Sequence, residues 1–140
     1  MKNTLIDAGP LIALFSKNDR YHDRMVSFLK EYSGGLVTTW PVITETCRML
    51  DFDVRAQLAF LEWLDRGAVQ IYDIKAHEIE EIIDLTKKYS DIPMDLADAS
   101  LVLLSHRLKI REIITIDSDF AVYRTIKKEK IRNVFHCEVA

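Results

Sequence analysis

Cysteine, glycine and proline are all scarce in this chain of 140 residues: two, four and three of them. Cys47 and Cys137 stand far apart in no metal-binding spacing, so reduced thiols are expected rather than a disulfide framework. The few glycines form no GxGxxG turn, which excludes a dinucleotide-binding fingerprint, and nothing reads as a linker, repeat or low-complexity segment. Charge of one sign is missing too. Twenty-two acidic against 19 basic residues leave a net −3, too little to mark the whole chain for nucleic acid or a membrane surface. No apolar run approaches the ~20 residues that span a bilayer. The hydrophobic run of the amino-terminal "MKNTLIDAGP" is too short for a secretory signal. A cytoplasmic protein without membrane contact is expected.

What is present is a core. At 49% hydrophobic residues, the chain has enough apolar side chains for one ordinary domain over residues 1–140. Strand-like runs occur at 3–7 ("NTLID"), 36–39 ("LVTT"), 68–72 ("AVQIY"), 112–117 ("EIITID") and 132–136 ("RNVFH"). Between them, apolar residues fall at helical spacing: Tyr21, Met25, Phe28, Leu29 and Tyr32; then Ile79, Ile82, Ile83, Thr86 and Tyr89; then Ala97, Leu101, Leu104 and Leu108. A further helix over 54–66 is apolar on two sides, with Val54, Leu58 and Leu61 on one and Ala56, Phe60 and Trp63 on the other. The alternation predicts an α/β fold with a parallel sheet of about five strands, covered by helices on both faces.

In open parallel sheets, ligands bind outside the carboxyl ends of the strands, where strand order reverses. Two strands here end on acid. "TLI" runs into Asp7 and "ITI" into Asp117, with Asp119 two positions on. Each Asp taken singly reads as a helix cap; as neighbours at a reversal, the two ends converge three carboxylates on one crevice. Only Asp98 and Ser100 interrupt an otherwise apolar stretch from Leu96 to Leu104, a helix with little wet face on which to place a charge; first-turn dipole compensation is the alternative, and Asp95 suits an N-cap. Glu45 follows Pro41, which suits a first helical turn. Set against a stripe of Ile43, Cys47 and Leu50, it reads as a surface glutamate.

These segments, "LIDAGPLIALF", "TTWPVITET" with Glu45, "PMDLADASLVLLSHRL" with Asp98 and "REIITIDSDFAVYR" with Asp117 and Asp119, resemble PIN-domain proteins. The similarity is greatest to the VapC-type ribonuclease toxins of prokaryotic toxin–antitoxin pairs, and it runs over nearly the whole chain. It implies a three-layer α/β/α PIN-like fold and a metal site of Asp7, Glu45, Asp98 and Asp117, with Asp119 as outer ligand or water positioner. It also implies an RNA substrate, a cognate antitoxin and a homodimer. One departure is that Ala8-Gly9-Pro10 follows the first Asp, where many relatives have Ser, Thr or Asn.

Clustered carboxylates repel and must take up protons unless a cation neutralises them. All-oxygen ligands select Mg²⁺, with Mn²⁺ able to substitute, over zinc. Hydrolysis of an RNA phosphodiester is the activity expected, and a PIN fold that binds RNA or a partner without cutting is the alternative. A dehalogenase-like phosphatase would need a second acid where Gly9 stands. A receiver domain would need its phosphoacceptor after the third strand, where only Asp73 occurs. The run "RTIKKEKIR" (124–132) reads either as a solvated face or as a grip on phosphates flanking the site. Trp40 and Trp63 read as packing residues, with Phe60 and Trp63 a candidate interface.

Overall fold

Parallel strands buried on both faces should be short runs of mostly branched, apolar residues, and the two central ones fit, with "TLI" in one and "II" in the other wholly buried. The structure, a computed structural model, describes residues 2–135. Among these, strands β1 (Asn3–Ile6), β2 (Gly35–Thr39), β3 (Gln70–Tyr72), β4 (Glu112–Ile114) and β5 (Arg132–Asn133) form one parallel sheet in the order β3-β2-β1-β4-β5. Helices α1 (Ala8–Phe15), α2 (His22–Glu31), α3 (Trp40–Met49), α4 (Val54–Asp65), α5 (Ile79–Lys88) and α6 (Leu96–Leu108) flank it in a three-layer α/β/α arrangement. Leu5, Ile6, Val37, Ile113 and Ile114 are wholly buried at its centre. The chain lays β2 and β3 on one side of β1, then crosses back to add β4 and β5 on the other. Strand order therefore reverses between β1 and β4, which pair through Leu5↔Ile113 and Ile6↔Ile114.

Two elements follow from local chemistry that periodicity does not register. Helix α1 is apolar throughout and has no wet face to produce a pattern; Asp7 starts it by accepting a hydrogen bond from the Ala8 amide. Strand β4 stops three residues short of Asp117 because a side chain takes over from the backbone ladder. The Asn133 amide receives the Thr115 N–H (3.2 Å) and donates to the Thr115 carbonyl (3.0 Å). At its far end, α4 closes on Gly67, whose φ of +84° suits a residue without a β-carbon.

The expected Phe60–Trp63 interface is not on the surface. Phe60 is wholly buried, because Phe15 of α1 packs edge-on against both Phe60 and Trp63 at 5.5 and 5.4 Å between ring centroids. Burying such a ring contributes ~1.5–3 kcal/mol, enough to turn that side of α4 inward. The other stripe is left in solvent: Val54, Leu58 and Leu61 are 63%, 50% and 44% exposed. Trp40 is not a packing residue either, being 52% exposed at the start of α3. Cys47 is a free, half-buried thiol; Cys137 and the last residue of the 132–136 strand expectation lie outside the described residues.

Candidate functional site

The β1–β4 reversal delivers Asp7 and Asp117 to the same end of the sheet. The Asp7 amide still donates to the Ile114 carbonyl (3.1 Å), so the pairing of the two strands carries up to the carboxylate itself. Asp98 arrives from the first turn of α6. There Asp95 is the N-cap, its Oδ1 accepting from the Asp98 amide (2.8 Å), while Asp98 Oδ2 accepts from the Asp95 amide (3.4 Å). Both readings of Asp98 hold together: it completes a capping box and it points at its neighbours. One carboxylate oxygen from each of Asp7, Asp98 and Asp117 lies within 4.8 Å of the others. Asp7 and Asp98 are buried, and Asp117 is open to solvent. A cavity of about 330 Å³ includes all three in its lining, with Glu45, Asp95 and Ile116 beside them.

Glu45 is therefore not a plain surface glutamate. The inward face of α3 is Val42, Ile43 and Thr46, continued by the capping Leu50, with Thr46 concealed by donating its hydroxyl to the Val42 carbonyl. Counting Thr46 as core rotates the stripe and leaves Glu45 on its flank, roughly a third of a turn from the centre. Asp119 is placed differently. It does not line this cavity; its amide donates to Asp117 Oδ1 (2.9 Å), so Asp117, and not Asp119, caps the 3₁₀ turn Ser118–Ala121.

Thr115 belongs to this cluster, although no sequence motif marks it. Its hydroxyl donates to Asp7 Oδ2 (3.0 Å) and accepts from the Asp117 amide (3.0 Å), tying two of the carboxylate segments together. The polar contact absent at Ala8-Gly9-Pro10 is thus supplied from the end of β4. A hydroxyl in an isoleucine run, two residues before an acid, was the available signal. Asp95, read only as a cap, also faces the cavity.

Electrostatics press in one direction. Burial, opposed by hydrogen bonds from Ala8 and Thr115 and reinforced by Asp117 and Glu45, pushes the Asp7 carboxyl up to about 6. Burial together with the charges of Asp95, Asp7 and Asp117 pushes Asp98 up to about 8. Glu45 is raised as well, by burial first and then Asp95, with Arg48 working against it. Converging oxygen donors, two of them buried where charge is costly, suit a hard divalent cation, and Asp7, Asp98 and Asp117 are the groups that could hold one.

The run 124–132 does not flank this crevice. It ends at Arg132, which begins β5, and parallel strands start at the pole opposite to the one where Asp7 and Asp117 sit.

Residues 4–125 match the PIN domain family. The chain is 31% identical over 119 residues to Ribonuclease VapC26 of Mycobacterium tuberculosis (strain ATCC 25618 / H37Rv), covering 81% of this chain and 85% of that protein. Its fold is also similar to the crystal structure of Mycobacterium tuberculosis VapC20, described as a sarcin–ricin loop cleaving toxin. That likeness has a TM-score of 0.78 over 85% of this chain and 93% of the other, at 17% identity.

Proposed function

The chain belongs to the PIN-domain family and is of the VapC type, and on that premise we propose that it is a divalent-metal-dependent endoribonuclease, the toxin of a type II toxin–antitoxin pair acting in the cytoplasm. The observation that carries the reading is the convergence of Asp7, Asp98 and Asp117 within 4.8 Å at the carboxyl ends of β1 and β4. A similar protein named as a ribonuclease supports it.

In this reading Asp7, Asp98 and Asp117 hold Mg²⁺ or Mn²⁺, with Glu45 completing the acidic wall. The bound ion would acidify a water and neutralise charge building on the phosphoryl oxygens. The chain's own part is positioning. Thr115 fixes the rotamer of Asp7, the capping box fixes Asp98, and the 3₁₀ turn fixes Asp117, so the donors need little rearrangement. Asp119, one turn away, serves as an outer helper.

The experiment is cleavage of single-stranded RNA by the purified chain with Mn²⁺ or Mg²⁺, against the same reaction in EDTA. Cleavage that requires the ion is expected. RNA binding with no cleavage under any divalent ion would make the chain a binding module instead.

The same reading includes a homodimer and an antitoxin, and the exposed stripe Val54, Leu58 and Leu61 on α4 is the surface assigned to self-association. Leu61→Glu should shift the mass seen by light scattering toward the monomer while far-UV circular dichroism stays unchanged. A variant with an intact fold and an undiminished oligomer would remove α4 from the interface. Among the described residues no helix is long and apolar enough to cross a membrane.

A further inference from the structure

A larger cavity, about 830 Å³, lies at the amino ends of β1, β4 and β5. Its lining carries Lys2, Lys109, Arg111, Arg124, Lys130 and Arg132 against one carboxylate, Glu112. In a chain of net charge −3, that is a segregation of positive charge. Glu112 is shared by Lys2 and Arg132, and Arg111 is engaged by Glu129. Among the described residues no carboxylate forms an ion pair with Lys109, Arg124, Lys128 or Lys130.

The loop that displays these cations is braced. Arg124 and Lys130 form an isolated antiparallel bridge. Inside it the wholly buried Thr125 donates to Glu129 Oε1 (3.2 Å) and accepts from the Glu129 amide (3.1 Å). The loop's acid is thus spent on holding its shape, while Lys127, Lys128 and Lys130 stay exposed.

A second, independent feature marks the cavity and the loop beside it. Among the described residues, the non-glycine positions with positive φ are Lys109 (56°) and Lys128 (65°). Lys109 sits where helix α6 ends, a position that glycine fills without the clash of a β-carbon. At both positions the chain holds a long cation in a conformation that favours a residue with no side chain. Strained backbone of this kind points to use of the side chain.

We propose that this pole is a second phosphate-binding site, holding the backbone of an RNA outside the segment being cut. The inference rests on the ribonuclease reading. Lys2 and Asp7 bracket β1, so the two sites lie about 16 Å apart at ~3.3 Å per residue. That exceeds the Debye length of about 8 Å at physiological salt, so these cations act by touching the ligand and not by biasing the crevice from afar. The segment from Asp117 through the 3₁₀ turn to Ala121 and Arg124 joins crevice to cavity, and an RNA strand following it meets both. Free phosphate shares the chemistry, and the test separates it from RNA.

The test compares the full-length wild type with the Lys109→Gly, Lys128→Gly double variant. Relief of the left-handed backbone should leave Tm equal to or above wild type. In EDTA, an RNA of ~20 nucleotides should bind roughly 5–10-fold more weakly by anisotropy. Its log Kd against log salt slope should flatten by about 1.4, the equivalent of two single-strand phosphate contacts. With Mn²⁺, KM for that RNA should rise at constant kcat, while an RNA of ~4 nucleotides, near the small end of single-strand sites, should be cut unchanged. Equal losses on both lengths, or a long RNA bound and cut as by wild type, would overturn the second site and leave the ribonuclease reading standing. So would pyrophosphate raising the Tm of wild type but not of the variant while RNA affinity is equal in both, which would make it a site for free anions. A wild type that neither binds nor cuts RNA would overturn the function, and this inference with it.

Discussion

Asp117→Asn should reduce single-turnover cleavage of a susceptible RNA at saturating Mn²⁺ by orders of magnitude, about 10³-fold or more on the scale of lost charge stabilisation at a reacting phosphoryl group. The substitution is a clean one. Asp117 Oδ1 accepts from the Asp119 amide to cap the turn Ser118–Ala121, and an Asn oxygen accepts that bond equally well. Its side chain is open to solvent, so no buried packing is disturbed. What changes is one negative charge among three oxygens within 4.8 Å. A cation held there would be under-neutralised and its water less acidic. Asp119→Asn should cost less, on the order of 10–100-fold, as do changes beside a metal site rather than in it. An Asp117→Asn protein that cuts at the wild-type rate would remove this carboxylate from the site and leave it with capping alone.

The difference between the two acids also shows what a linear reading conveys. Asp7 and Asp117 are legible because each follows a short, branched strand-like run, and the carboxyl ends of parallel strands form one pole. Asp98 was legible because a carboxylate in an almost wholly buried helix needs a reason. Glu45 is not legible from periodicity, since a stripe of apolar residues alone omits Thr46, which is buried by bonding the Val42 carbonyl. The two sides of α4 were equally apolar in sequence. A contact from Phe15, far away in the chain, decided which became core. Proximity misled most at the basic run. Residues 124–132 follow closely on Asp117 and Asp119, but a chain joining two parallel strands must return to the amino pole before the next can begin. The lysines consequently lie at the other end of the sheet.

Asp98→Asn should separate metal binding from stability, and in opposite directions. In wild type, burial and the charges of Asp95 and Asp7 hold the Asp98 carboxyl up at about 8, from an ordinary value of 3.8. The folded state therefore binds more protons than the unfolded chain between about pH 4 and pH 8. The contribution of this group to metal-free stability is fully present below that window and is lost as pH rises through it. An amide has no charge to repel or desolvate, so metal-free Asp98→Asn should melt above wild type near pH 8, by roughly 2–4 °C, what ~1 kcal/mol gives in a domain of this size. The advantage should vanish near pH 4. Cation binding reverses the wild-type trend because it needs the carboxylates ionised and releases their protons. The Mn²⁺-induced rise in wild-type Tm should thus grow from pH 5 to pH 8. In Asp98→Asn that rise should be small and nearly flat with pH, although the capping bond from the Asp98 amide to Asp95 is retained because it is made by the backbone. Differential scanning calorimetry of both proteins, in EDTA and in Mn²⁺ at several pH values, measures all of this. A variant that gains as much from Mn²⁺ as wild type at pH 8 would place the cation elsewhere, and the burial of Asp98 would then belong to helix α6 alone.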